Sequence, residues 1–255
     1  MVGRWSTSAG RVEPAGADTV HVWLIRSDLS PPVLAGLERL LDAGERRRAD
    51  SLTFPEHRRW FVAAHGAVRA ILARHLDVPP DEIGWAYGPH GKPELAGALA
   101  PARCGPHVSL SHSDGVALLA VAARRVGVDI QRLPPRFDAT GMALRYFPRA
   151  EAQYVAAAGE SAAQIRRFIG LWARKEACVK VAGGRLMQGM ALPVRAADGP
   201  CRTGVVVHQP AAPVTGPYLV RDLAAPSGFR AAVAVEGAQG YGIARHRWRP
   251  PLTPP

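Results

Sequence analysis

The apolar positions of this 255-residue chain change period several times, and each change marks an element. "TVHVWLI" (Thr19–Ile25) alternates and is rich in β-branched residues, which predicts a strand. Pro31 and Pro32 open a short helix through Leu41, and an arginine-rich segment follows at Glu45–Leu52. Pro55 suits a first helical position, and the amphipathic run after it predicts a helix to about Leu76. "WAYGPHGKPEL" (Trp85–Leu95), punctuated by glycine and proline, predicts a loop. "HVSLSHS", "VALLAVAA" and "VGVDIQ" predict three successive strands. Beyond the linker "RLPPRF", helices are predicted at Ala139–Tyr146, Pro148–Ala157 and Ala162–Val181. The β-type runs "TGVVVHQ", "YLVRDL" and "FRAAVAVE" lead to about Val235.

One pattern recurs. "SDGVALLAVAA" (Ser113–Ala123) and "SGFRAAVAVEG" (Ser227–Gly237) each place a turn before a buried strand, near the end of their own half. The expectation is an α+β chain of two similar α/β lobes joined near Leu133–Arg136. A tail covers 1–18, the first lobe 19–133, the second 134–245, and a proline-rich tail 246–255. A ligand site between two such lobes is expected.

Composition narrows the partners. The formal net charge of +11 points to an acidic partner: nucleic acid, a phosphorylated ligand or an acidic protein. Arginine clusters such as Arg46-Arg47-Arg48 and Arg58-Arg59 carry much of it. Cys104, Cys178 and Cys201 are odd in number and widely spaced, which argues against a disulfide framework or a zinc site. The N-terminus has no apolar signal-peptide core, and the longest apolar run is too short to span a membrane. A reduced, cytoplasmic protein without membrane contact is expected.

Several stretches carry candidate chemistry. In "FIGLWARKEACVK", Phe168, Leu171, Trp172 and Val179 form one helical stripe, and Lys175 falls inside it. Glu176 and Lys180 are four apart on its flank. Lys175 either snorkels past a core or faces a cleft that holds phosphate. Asp129 sits inside an apolar strand, a costly place unless it is paired or metal-bound, and Gln131 shares its face. Asp129 is either a strand-end cap or, with Glu176, one of two carboxylates for Mg²⁺. Lys92 in "GPHGKPEL" and Ser111 and His112 in "SLSHS" are each weak signals alone. A hydrogen-bonded structural histidine and a phosphate ligand both fit His112.

Taken in order, "GKP", "SLSHS", "GVDI" and "W..KEA..K" resemble the 4′-phosphopantetheinyl transferase superfamily, from about Glu45 to Leu192. The chain is most similar to the long, surfactin-synthetase-activating branch, which acts on carrier proteins of peptide and polyketide synthetases. "RYFPRAE" (Arg145–Glu151) is similar to a helical element of that family. The resemblance implies a pseudo-dimer of two α/β lobes and a monomer. It implies a holo-carrier-protein synthase that moves the phosphopantetheine arm of coenzyme A to a carrier serine and releases adenosine 3′,5′-bisphosphate. It implies Mg²⁺ at Asp129 and Glu176, with Gln131 where the family often has glutamate. Glu176, Lys180 and Glu151 are the catalytic candidates it implies. Lys175 and Lys180 for the pyrophosphate, Lys92 near the nucleotide, His112 for the 3′-phosphate and Ser111 as a further coenzyme A-binding residue follow in the same way. Trp60 stands where the family commonly has an arginine for the 3′-phosphate, so Arg59 or Arg58 becomes the substitute, and Arg48 is a further coenzyme A-binding candidate. An acidic carrier partner would suit the basic chain.

The rival reading is a Mg²⁺-dependent nucleic-acid enzyme. Against it, the basic residues show no regular aromatic interleaving and no helix-turn-helix or RNA-binding signature. A non-catalytic carrier-binding module is a third reading, opposed by Asp129, Glu176 and Lys180 being present together.

Overall fold

Each half of the chain follows one path: a strand, three helices, then an antiparallel strand pair. The computed structural model describes residues 6–7, 18–103, 105–195, 204–209 and 214–250. Most of the expected N-terminal tail, 1–5 and 8–17, and half of the expected C-terminal one, 251–255, lie outside these. The two-residue strand β1 (Ser6–Thr7) comes first. The first path runs β2 (Thr19–Arg26), α1 (Pro31–Leu40), α2 (Ala43–Asp50), α3 (Pro55–Leu76). After a small hairpin of β3 (Trp85–Tyr87) and β4 (Pro93–Leu95), it closes with β5 (His107–Ser113) and β6 (Val116–Ala122). The second path runs β7 (Val126–Arg132), α4 (Ala139–Tyr146), α5 (Arg149–Ala156), α6 (Ser161–Ala182). The short helix α7 (Leu186–Gly189) and β8 (Val205–Val207) precede its closing pair, β9 (Tyr218–Leu223) and β10 (Phe229–Glu236). Strand β11 (Gly242–Arg247) ends the fold.

The local chemistry accounts for these elements. Pro55 starts α3, and Asp77 ends it in the left-handed region at φ 56°. A capping box fixes the start of α2: Glu45 N donates to Asp42 Oδ1 (2.8 Å) and Asp42 N to Glu45 Oε2 (3.1 Å). The expected loop at Trp85–Leu95 is instead the β3–β4 hairpin, with Trp85 opposite Leu95. Its turn closes by Gly88 N donating to Lys92 O (3.0 Å), with Gly91 at φ 81°. Strands of three residues are too short for a period-two signal to register.

The strands form two main sheets. The first has the order β1-β11-β2-β6-β5 and the second β7-β10-β9-β8. The recurring sequence pattern therefore marks β6 and β10, each buried with a strand on both sides. Two assignments differ from expectation. Val126–Arg132, placed at the end of the first lobe, hydrogen-bonds β10 in the second sheet, so by pairing the lobes part between Ala122 and Val126. His246 and Arg247, placed in a tail, belong to β11, which runs parallel to β2 in the first sheet.

The molecule has four layers. Helices α1 and α3 cover the outer face of the first sheet, where Leu37, Val68 and Leu72 join Trp23 and Leu119. Helices α4 to α6 cover the second, where Phe168 and Ala177 join Val220 and Ala232. The sheets meet back to back through Val22, Leu118 and Ala120 against Val128, Leu219 and Val233. Among the described residues no helix is long and apolar enough to cross a membrane.

Candidate active site

The site grows from the free edge of β7. One edge of this strand pairs with β10, so every second backbone group points away from that sheet. The N–H groups of Val128, Ile130 and Arg132 donate to the hydroxyls of Ser109 (3.1 Å), Ser111 (3.3 Å) and Ser113 (3.0 Å) on β5. The carbonyls of Val126 and Val128 accept from Lys92 Nζ and Lys180 Nζ, each at 3.2 Å. The period-two serines of "SLSHS" thus join the two sheets by side chains rather than by a backbone ladder. That role was not read from the sequence, although the spacing carried it.

Asp129 lies mid-strand at this seam and is 1 % exposed. Its Oδ1 accepts from Lys180 Nζ (2.7 Å) and Ser111 Oγ (2.8 Å), and its Oδ2 from Gln131 Nε2 (3.0 Å). Because the Ser111 oxygen already accepts from Ile130, its own hydrogen is free to point at Asp129. Gly127 makes the approach of α6 feasible: a Cβ there would fall 2.0 Å from the Ala177 carbonyl oxygen. Helix α6 can therefore lie against β7 and set Lys180 over Asp129.

Glu176 is one turn before Lys180, half-buried, and makes no hydrogen bond or ion pair to any described residue. Burial, and then the negative charge of Asp129, raise its carboxyl pKa; Lys180 partly offsets them. Two carboxylates with mutual repulsion make an oxygen donor pair of the kind that suits Mg²⁺. Among the described residues no three His, Cys, Asp or Glu side chains group as metal ligands. The third place belongs to Gln131, whose amide nitrogen faces Asp129 instead.

His112 follows Ser111 on β5 and is exposed. Loss of surrounding water, and then His65 and Lys180, lower its pKa, with Asp129 partly offsetting them. Lys92 stands further along the seam, and burial is the main cause that lowers its pKa to about 8.

Other expected residues do not join this cluster. Lys175 is fully buried; its Nζ pairs with Glu151 Oε2 (2.6 Å), donates to the Leu192 carbonyl and lies 4.6 Å from the Phe147 ring centroid. Glu151, 2 % exposed, also accepts from Val194 N (2.7 Å). Lys175 and Glu151, expected at the pyrophosphate and in catalysis, thus stand in a buried pair inside the second lobe. Arg58 is taken up by Glu38 (2.5 Å) and Asp50 (3.1 Å), and Arg59 donates to the carbonyls of Ser27 and Leu29. Arg48 is exposed and makes no ion pair with a described residue.

A second buried pair was missed in the sequence. Arg69, 1 % exposed, binds Glu45 (2.5 Å), Asp42 and the carbonyls of Pro80 (2.9 Å) and Ile83 (3.0 Å). An arginine on the apolar face of α3 was the available signal.

Known proteins bear on this geometry. The profile of the 4′-phosphopantetheinyl transferase superfamily matches residues 125–209, the segment that holds Asp129, Gln131, Glu176 and Lys180. The chain is 36 % identical over 168 residues to 4′-phosphopantetheinyl transferase HetI of Nostoc sp., covering 66 % of this chain and 70 % of HetI. It is 31 % identical over 171 residues to protein slr0495 of Synechocystis sp., covering 67 % of each. It is 28 % identical over 170 residues to the 4′-phosphopantetheinyl transferase of Bacillus subtilis, covering 62 % of this chain and 70 % of that one. With such identity over most of both chains, on a two-lobed α+β fold with its acidic cluster at the seam, this chain belongs to the 4′-phosphopantetheinyl transferase superfamily.

Proposed function

We propose that this chain transfers the 4′-phosphopantetheine arm of coenzyme A to a serine of an apo carrier protein, with Mg²⁺, and releases adenosine 3′,5′-bisphosphate. The observation that carries this reading is the Asp129, Lys180 and Glu176 cluster at the seam between the sheets. Asp129 and Glu176 would hold the Mg²⁺ ion, with Gln131 beside them. When bound, that ion neutralises and polarises phosphate oxygens.

The remaining steps belong to the chain's own groups. The carrier serine oxygen forms a bond to the β-phosphorus of coenzyme A. The bond from that phosphorus to the bridging oxygen breaks, and the electron pair leaves with adenosine 3′,5′-bisphosphate. Glu176, a carboxylate with raised pKa, takes the serine proton. Lys180 has three donors, two of them spent on Asp129 and Val128, and the third serves the departing phosphate. His112 and Lys92 hold the nucleotide end. Catalysis of this kind rests on positioning and charge neutralisation. A carrier with an acidic face suits the net charge of +11, and two lobes in one chain suit a monomer.

The test is intact-mass analysis of an apo carrier protein incubated with coenzyme A, Mg²⁺ and this protein. A gain of the phosphopantetheine mass, absent with Asp129→Asn, supports the reading. Unmodified carriers of both acyl and peptidyl type would refute it.

A further inference from the structure

On the other flank of α6 lies a pocket of about 590 Å³ that the proposed reaction does not use. Asp129 and Asp222 both register with Ala232 of β10, so they stand two strands apart, roughly 10 Å. Helix α6 spans that gap, with Lys180 over Asp129 and Arg174 over Asp222. The pocket opens on the Asp222 side, by the turn between β9 and β10.

Its lining is unusual in charge. Arg166, Arg167, Arg174, Arg195 and Arg230 face one acid, Asp222. Arg174, nine-tenths buried, grips Asp222 with two bonds of 2.7 and 2.5 Å, which neutralises that acid. Arg167 and Arg195 lie over the ring of Tyr154, 4.4 and 4.3 Å from its centroid. Arg166, Arg195 and Arg230 make no ion pair with any described residue. Gly170 forms part of the wall, and a Cβ there would meet nothing within 4 Å. Arginines on a flat helix face would be a solvated surface. Here they converge on a concavity of the size that holds small ligands.

We propose that this pocket is a second anion site that binds an oligophosphate. Guanidinium forks match phosphate oxygens in pairs, and several forks around one space call for several negative charges on one small group. The Tyr154 ring is already covered by two guanidiniums, so recognition falls on the phosphates rather than on a stacked base. Both inorganic polyphosphate and the oligophosphate of a nucleotide carry this chemistry. The site stands independently of the transfer reaction.

Calorimetric titration of the full chain with tripolyphosphate in EDTA tests it. Parallel titrations with ADP separate the two sources: ADP binding as well as tripolyphosphate assigns a nucleotide, and much weaker ADP binding assigns an inorganic chain. The key variant is Gly170→Met, which fills the pocket without removing charge and replaces a helical glycine by a better helix former. Wild type and Lys180→Ala should bind alike. Gly170→Met and Arg195→Ala should weaken binding about tenfold or more, the worth of one charged hydrogen bond. A Gly170→Met protein that melts as wild type and still binds as wild type overturns the proposal. So does loss of all binding in Lys180→Ala, which would put the anion at the seam, or no binding by wild type.

Discussion

Lys175 and Arg69 occupy the same place in the two lobes. Each is the fifteenth residue of a 22-residue helix, and each binds the glutamate that stands third in the middle helix of its own lobe, Glu151 or Glu45. The fold repeat therefore explains why a lysine lies on an apolar stripe: it is the second copy of a buried pair that ties the long helix to the one before it. Glu176, sixteenth in α6, has Ala70 as its counterpart in α3, so only the second lobe carries that carboxylate.

The first prediction concerns that pair. Lys175→Met should destabilise the protein by about 3–5 kcal/mol, because a buried carboxylate loses its counter-charge. Adding Glu151→Gln, which keeps an acceptor for Val194 N, should recover much of the loss. Denaturant unfolding reads both. A Lys175→Met protein of full stability that no longer binds coenzyme A would return Lys175 to the cleft.

Next are the cluster residues. Asp129→Asn and Glu176→Gln should each lower turnover roughly 10²–10³-fold, the typical cost of one electrostatic group in a preorganised site. Lys180→Ala should lower kcat more than it raises KM, since its charge matters most as the phosphate departs. Steady-state kinetics against coenzyme A separates these. A change in KM alone would make Lys180 a plain binding residue.

Gln131→Glu replaces an amide that donates to Asp129 by a carboxylate that repels it. Without divalent cations the variant should melt lower than wild type. With Mg²⁺ it should gain more than wild type does, because a third carboxylate joins the donor set. Melting curves with and without Mg²⁺ decide this. An unresponsive variant would mean that these side chains do not form a metal site.

How far the sequence reached depended on range. The long amphipathic run of α3 ended where its period ended, at Leu76. Asp129, Glu176 and Lys180 stood out because charge inside an apolar strand, or at four-residue spacing beside it, needs a reason. Lys175 and Glu176 are adjacent and border the same stripe, so spacing could not tell which turns inward. That is settled by Glu151, 24 residues upstream and on another helix. The partner of β7 was equally hidden, since an apolar strand reads the same in either sheet. Strand β11, "GIARHR", carries few apolar residues, and its pairing with β2 joins the two ends of the chain.

Acid should weaken the first lobe. Trp23 Nε1 donates to His75 Nε2 (3.0 Å), and His21 and His246 share a contact of 3.0 Å beside them. Burial, followed by the neighbouring histidines, holds His75 at about 3 and His246 at about 4, against 6.5 ordinarily. Both pKa values are depressed, so the unfolded chain binds more protons as pH falls. The stability from the neutral rings is complete above about pH 6.5 and is lost progressively toward pH 4 and then 3. His246→Phe keeps an aromatic ring against Trp23 and removes one titrating group, so its stability should fall less steeply between pH 6.5 and 4. Parallel slopes for variant and wild type would place the acid sensitivity elsewhere.

The seam serines give the sharpest comparison. Ser109 and Ser111 each accept one backbone N–H of β7, but only Ser111 also donates to Asp129. Either alanine substitution leaves one buried N–H unpaired, a cost of about 1–3 kcal/mol. Stability measurements should therefore rank the two variants together. Activity should part them. Ser109→Ala keeps every contact of Asp129, so its kcat per folded molecule should stay near wild type. Ser111→Ala removes one of the two donors at Oδ1, which loosens the carboxylate and leaves Lys180 alone at that oxygen, with Gln131 at the other. Its kcat should fall while KM for coenzyme A changes little, because no group that binds the nucleotide end has moved. If both variants lose activity equally, the serines act only by joining the sheets. If Ser111→Ala changes KM alone, its hydroxyl contacts substrate rather than positioning Asp129.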